Sequence, residues 1–261
     1  MSEILKLDGL SLHFGGLTAV ADVDLTLNQG ELVGLIGPNG AGKTTIFNLL
    51  TGVYQPSSGT ITFHRDGVYN LGGMQPHAIC HAGIGRTFQN IRLFKRLTVL
   101  DNVMVATQQN NRYGLVASFL HTPKLLNREQ TIHDQSQELL RIMQLDSKSD
   151  EMAENLSYGE QRRLEIARAM ATKPVLLLLD EPAAGMNPAE TSQLTEMIKW
   201  LLHEFNLTIL LIEHDMSVVM NICERIYVLD HGLVIANGTP SQVQHDPRVI
   251  EAYLGEEANS V

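Results

Sequence analysis

The chain has 261 residues, 44% of them hydrophobic and 18% charged, a composition that builds a packed core and not a disordered chain. Its formal net charge of -10 offers no broad basic face for phosphate backbones, which counts against a nucleic-acid partner. The longest apolar run, residues 175–179, falls far short of the ~20 residues a bilayer-spanning helix needs. Met1-Ser2-Glu3 lacks the basic region and apolar core of a secretory signal, so the cytoplasm is the expected compartment. Cys80 and Cys223 fit no metal-ligand spacing and are expected to be reduced, half-buried small side chains.

In chain order, residues 4–14 and 20–27 alternate apolar and polar, the pattern of half-buried antiparallel strands, with a turn at Asn28-Gln29-Gly30. An apolar strand then runs into Gly37-Pro38-Asn39-Gly40-Ala41-Gly42-Lys43-Thr44-Thr45, and a helix-like run follows. Strand, glycine-rich loop and helix form the context of a phosphate-binding loop. Glycines 37, 40 and 42 allow backbone conformations that turn successive N–H groups toward one anion, and the helix start adds an effective charge of roughly +0.5. Lys43 is placed to reach the β- and γ-phosphates of a nucleoside triphosphate, and the Thr44 hydroxyl to hold the magnesium bridging them. Gly52 reads as a helix cap, and Pro56-Ser57-Ser58-Gly59 as a turn into a strand at 60–63.

From about residue 76 to 148 helical spacing replaces strand signals, with an irregular stretch at 112–126 broken by Pro123, and this region reads as an inserted helical subdomain. A short buried strand at 175–179, an amphipathic helix at 191–205 and a second buried strand at 207–212 follow. Helices alternating with buried strands imply an α/β fold with a mostly parallel sheet. A strand pair at 225–229 and 233–236 turns at His231-Gly232, and one helix is expected from about 240 to 254.

Asp180-Glu181 ends the strand at 175–179. Asp180 suits a magnesium ligand, and Glu181 a base taking the proton of the water that attacks the γ-phosphate. Upstream lies Leu156-Ser157-Tyr158-Gly159-Glu160-Gln161, in which Ser157 and Glu160 form a capping box at a helix start. In this order the three motifs resemble those of the ATP-binding-cassette (ABC) family. The resemblance implies a P-loop NTPase core of the RecA-like type, an N-terminal antiparallel β subdomain and an inserted α-helical subdomain. It places the catalytic core at 1–88 and 160–261 and the helical signature subdomain at 89–159.

Further positions follow from the resemblance. Gln89 matches the glutamine that contacts magnesium and attacking water, His214 the switch histidine at the γ-phosphate, and Phe14 the aromatic that stacks on adenine. Ser157, Gly159 and Glu160 match the signature that completes the nucleotide site of a second copy. Taken singly, a glutamine or a phenylalanine is equally a structural residue, and the shared order of the motifs is what carries Gln89 and Phe14. Tyr158 and Glu160 depart from the usual glycine and glutamine of the signature, which bears on how closely the partner's nucleotide is approached. Asn187 stands where an aspartate is common and lacks its charge, so coupling between paired sites is expected to be gentler.

Those departures, with residues 85–94 and Ala184-Gly185-Met186-Asn187, are similar to the ATPase subunits of branched-chain amino-acid importers. The resemblance spans essentially the whole chain. It implies ATP and Mg2+ as ligands, a second ATPase subunit (a similar chain or another copy), two membrane-spanning permease subunits, a solute-binding protein, and a peripheral location on the cytoplasmic face of the inner membrane. Ile91, Leu93, Phe94 and Leu97 fit either a local core or a surface receiving a short helix from a membrane subunit. Cassette ATPases of other importers, of exporters, or acting on DNA or ribosomes are the alternatives. The last of these resemble tandem cassettes or chains with long coiled-coil arms, and neither feature is present here. A GTPase would need a guanine-reading Asn-Lys-x-Asp motif, which the sequence lacks.

Overall fold

A computed structural model describes residues 2–108 and 123–259. The alternating residues of the N-terminal segments form β1 (Glu3–Phe14) and β2 (Leu17–Asn28), an antiparallel pair. Leu5, Leu7, Leu10, Val23, Leu25 and Leu27 of this pair are buried, whereas Phe14 and Leu17 at the turn between the strands are exposed. On the other edge of β1 lies β4 (Ser58–His64), followed by β5 (Val68–Asn70), giving a four-stranded sheet in the order β2-β1-β4-β5. At three residues, β5 is too short for an alternating pattern to announce it.

A second sheet has the order β10-β9-β3-β8-β7-β6. Its strands are β3 (Leu32–Ile36), β6 (Ile84–Arg86), β7 (Leu176–Asp180), β8 (Thr208–Ile212), β9 (Arg225–Asp230) and β10 (Leu233–Gly238). All pairs are parallel except the edge hairpin β9–β10. Every residue of β3, β7 and β8 is buried, which is why these strands read as continuous apolar runs. The strand β6 lies in a stretch read as helical, because Ile84-Gly85-Arg86 carries neither alternation nor an apolar run. Helix α1 (Lys43–Leu50) packs Ile46, Phe47, Leu49 and Leu50 into a core that joins both sheets.

Two compact units emerge: Met1–Arg86 with Val175–Val261, and Thr87–Pro174. Residues 87–88 and 160–174, expected with the catalytic core, therefore belong to the helical unit. That unit contains α2's successors in the chain, α3 (Val99–Gln108), α4 (Pro123–Ile142) and α5 (Tyr158–Ala171), whereas α2 (Pro76–Ala82) belongs to the first. Of the irregular stretch expected at 112–126, residues 112–122 lie outside the described residues, and Pro123 begins α4 in the position proline tolerates best.

In the first unit, α6 (Pro188–Glu204) starts earlier than its apolar spacing suggests, because Asn187 Oδ1 accepts from the N–H groups of Ala189 and Glu190 and Glu190 answers the Asn187 N–H. A short helix α7 (Met216–Ile222) follows β8. The single helix expected at 240–254 is instead two, α8 (Pro240–Gln244) and α9 (Pro247–Asn259). Pro247 lacks an N–H and disfavours helical geometry in Asp246 before it, so the first helix ends at Gln244.

Buried charge organises the helical unit. Arg162, with no exposed surface, donates to the carbonyls of Phe88 (2.7 Å) and Gln89 (2.9 Å) and to Glu165 Oε2 (2.8 Å). Glu165 in turn accepts from the N–H groups of Phe88 and Arg92, both at 3.3 Å. One ion pair on α5 thus fastens segment 88–92 to the helix. Burial raises the Glu165 carboxyl above its ordinary range even with Arg162 beside it. Arg162→Met should leave Glu165 buried without its partner and cost about 3–5 kcal/mol, measured as lost hydrogen-exchange protection along residues 158–171.

Candidate functional site

Parallel pairing puts the motif residues of the first unit at one edge of the sheet. Leu35 of β3 lies opposite Ile212 of β8, and Ile212 lies opposite Asp180 of β7. The loop after β3, Glu213-His214 after β8 and Glu181 after β7 therefore leave the sheet side by side, at the carboxyl ends where α/β sheets bind ligands.

Backbone constraints shape the loop at 37–45. Gly37 has φ +147°, and a Cβ there would lie 2.0 Å from the Leu229 carbonyl oxygen of β9. Gly42, which precedes α1, has φ +106°, and a Cβ would lie 2.7 Å from the Ala19 carbonyl oxygen. Gly40 shares the left-handed conformation but faces open space. Pro38 and Ala41 are buried while Asn39 and Gly40 are exposed. Gly42, the residue before α1, has no side chain with which to cap the helix, and an uncapped helix start is where proteins receive an anion. The buried Lys43 folds back across the loop and donates to the carbonyls of Gly37 (2.6 Å) and Pro38 (2.8 Å). Thr44 is exposed and Thr45 half-buried. Phe14 is 45% exposed, its ring edge-on to Tyr54 with centroids 5.1 Å apart.

Asp180 and Glu181 occupy different surroundings despite being adjacent. The Asp180 side chain is buried and its Oδ2 accepts from Arg86 at 3.0 Å. Glu181 takes φ +46°, a left-handed conformation unusual for a side-chain-bearing residue, while its N–H donates to the Ile212 carbonyl at 2.9 Å. Its Oε1 lies 2.6 Å from His214 Nε2, and the histidine is well exposed.

Three participants escaped the sequence reading. Glu213 is buried and accepts from the N–H of Ala183 (2.7 Å) and of His214 (3.1 Å), tying the turn after Glu181 to the end of β8. Burial raises its carboxyl above the usual range in spite of these bonds. Asp215 caps α7, and the Ser217 hydroxyl at 2.6 Å holds its carboxyl below the usual range. Arg86 is the third. The signals for all three were present, since Glu213-His214-Asp215 and Gly85-Arg86-Thr87 flank the residues that were singled out. Asn187 serves as the cap of α6.

The helical unit carries the remaining motif residues. Ser157 caps α5 in a reciprocal box: its Oγ accepts from the Glu160 N–H at 3.4 Å, and Glu160 Oε2 accepts from the Ser157 N–H at 2.9 Å. Lys148 contacts the other oxygen of Glu160 at 2.8 Å. Although burial works against it, these hydrogen bonds from Lys148 and Ser157 hold the Glu160 carboxyl below its ordinary range. Gly159 is buried and Tyr158 exposed beside it. Gln89 is exposed, with its carbonyl held by Arg162. Nearby, Phe94 (47% exposed) and Leu97 (36%) are surface residues, Ile91 and Leu93 are half-buried, and Arg168 lies over the Phe94 ring at 4.8 Å. The reading of these four as local core is thereby ruled out for Phe94 and Leu97.

Among the described residues, no helix is long and apolar enough to cross a membrane, and no cluster of three or more His, Cys, Asp or Glu stands ready for a metal. Cys80 is half-buried and Cys223 buried, its thiol pushed up to about 12 by burial.

Residues 20–184 match the family described as ABC transporter, and residues 234–259 match the family described as branched-chain amino acid ATP-binding cassette transporter. The chain is 49% identical over 253 residues to the high-affinity branched-chain amino acid transport ATP-binding protein LivG of Escherichia coli (strain K12), covering 97% of this chain and 98% of that one. It is 46% identical, with the same coverage, to the transport ATP-binding protein BraF of Pseudomonas aeruginosa. Among solved structures, the ADP conformation of MJ1267, an ATP-binding cassette of an ABC transporter, superposes with a TM-score of 0.84 at 30% identity, covering 98% of this chain and all of that one.

The loop's dependence on Gly37 is open to test. Gly37→Ala forces a Cβ against the Leu229 carbonyl and should reduce nucleotide affinity by about tenfold or more in a fluorescent-nucleotide titration, whereas Gly40→Ala, meeting only backbone strain, should lose less.

Proposed function

The chain belongs to the ABC transporter family of ATP-binding proteins, and from that premise we propose that it is the ATP-hydrolysing subunit of an importer of branched-chain amino acids. The observation that carries this reading is likeness along nearly the full length of two high-affinity branched-chain amino acid transport ATP-binding proteins. Leucine, isoleucine and valine are the solutes of this proposal.

The triphosphate rests on the loop formed by Gly37, Pro38, Asn39, Gly40, Ala41 and Gly42 and on the N-terminus of α1, with Thr45 beside it and adenine stacked on Phe14. Lys43 exchanges its bonds to the Gly37 and Pro38 carbonyls for the β- and γ-phosphate oxygens, so the ammonium is satisfied before and after binding. When bound, Mg2+ supplies charge neutralisation across those phosphates. Thr44 and Asp180 of the first unit are oxygen donors that would hold it, with Gln89 the third donor this proposal assigns, and oxygens of this kind suit a hard cation. Glu181 accepts the proton of the attacking water, and His214, now 2.6 Å from Glu181 Oε1, contacts the γ-phosphate.

The signature needs an occupant it does not itself hold. Ser157, Gly159 and Glu160, at the start of α5, complete the γ-phosphate site of a second ATPase subunit, either another copy or a similar chain. Two membrane-spanning permease subunits and a solute-binding protein make up the rest of the importer, and the exposed Phe94 and Leu97 support docking of a short helix from a permease. The chain then sits as a peripheral subunit on the cytoplasmic face of the inner membrane.

Glu181→Gln should slow hydrolysis by roughly 10²–10⁴-fold and accumulate an ATP-bound dimer, seen by size-exclusion chromatography with ATP present. An unimpaired rate removes Glu181 from the role of base. Deleting the chain should abolish high-affinity uptake of labelled leucine, isoleucine and valine, and normal uptake of all three would overturn the transport assignment.

A further inference from the structure

The Arg86 guanidinium, its side chain only 6% exposed, reaches three acceptors on two elements of the first unit. One terminal nitrogen donates to Asp180 Oδ2 at 3.0 Å; the other donates to Asn48 Oδ1 at 2.8 Å and Thr51 Oγ1 at 3.0 Å. The guanidinium carbon lies 5.5 Å from the centroid of the Phe47 ring, which packs in the core. A cation this deeply placed requires a charge partner, and Asp180, 2% exposed, supplies one.

The helix register gives this contact its direction. Asn48 follows Thr44 by four residues and so shares its face of the helix, and Thr51, the residue that caps the helix C-terminus, follows Thr44 by seven. The side chain that holds Asp180 is thus anchored to the face that bears Thr44. These are two of the three residues read above as metal donors, and one planar group spans the distance between their elements. We infer that Arg86 is a positioning residue for the divalent cation: it fixes the Asp180 carboxylate relative to Thr44 and thereby sets how tightly the site holds the metal. This rests on the reading of Asp180 as a magnesium ligand.

Arginine suits the task where lysine does not, because a rigid fork can serve a carboxylate and two neutral oxygens at once, whereas an ammonium on a flexible stem fixes no orientation. Hydrogen-bond partners of metal-binding carboxylates characteristically govern affinity even though they never touch the ion.

The test uses the full-length protein and two titrations: Mg2+ dependence of hydrolysis, and Mg2+ dependence of fluorescent ATP-analogue binding, each beside analogue binding in EDTA. Arg86→Lys keeps the buried charge and loses the fork. It should raise the half-saturating Mg2+ concentration about 10–100-fold while metal-free nucleotide affinity stays within about twofold. Asn48→Ala removes one of the two anchors without stranding a charge, and should shift Mg2+ dependence in the same direction by less. Unchanged Mg2+ dependence in both variants, tighter Mg2+ binding, or equal loss of metal-free nucleotide binding would each overturn the proposal, the last by showing a merely structural role. Asp180→Asn separates the two levels: it should weaken Mg2+ dependence whatever Arg86 does, and if it does not, the metal assignment of Asp180 itself fails and the inference with it.

Discussion

The parallel ladder of β3, β8 and β7 is the constraint from which the rest follows. With Leu35, Ile212 and Asp180 in register, the three chain segments leaving these strands have nowhere to diverge to, and the phosphate loop, His214 and Glu181 emerge together. Every residue of its three strands is buried, so packing on both faces fixes where the carboxyl ends of the ladder lie. The glycines of the loop then let the backbone pass against β9 at a separation no side chain allows.

On this scaffold the first unit buries several charges, and each is met by a partner of different kind. Lys43 is held by backbone carbonyls, Asp180 by a guanidinium and Glu213 by backbone N–H groups. Such an arrangement keeps the charged groups oriented before any ligand arrives, which is what electrostatic catalysis of phosphoryl transfer requires of a protein. The helical unit uses the same device for a different end: Arg162 and Glu165 hold segment 88–92, and with it the backbone of Gln89, against α5.

Much of this was legible in the sequence where the physics is local. Apolar runs marked β7 and β8, alternation marked β1 and β2, and the Ser157–Glu160 spacing marked the start of α5, because strand burial and helix capping each leave a short-range pattern. What stayed hidden depends on partners distant in the chain. Nothing near Ile84 signals that it pairs with Leu176, so β6 was missed, and Arg86 gains its meaning only from Asp180, 94 residues away. Glu213 is hidden in the same way, since it acts through the N–H of Ala183, 30 residues away. The C-terminal helix was overextended because its apolar spacing continues across Pro247, where the backbone cannot.

Glu181 carries a consequence beyond its chemistry. At φ +46° its backbone occupies a region where glycine is at ease and a glutamate bears a penalty of about 1–3 kcal/mol. A glycine would relieve that strain while erasing the carboxylate, so under the role proposed for Glu181 durability and turnover pull this one position in opposite directions. With Glu181 in its proposed role of base, directed evolution rewarded only for heat tolerance would drift toward a sturdier, inert cassette.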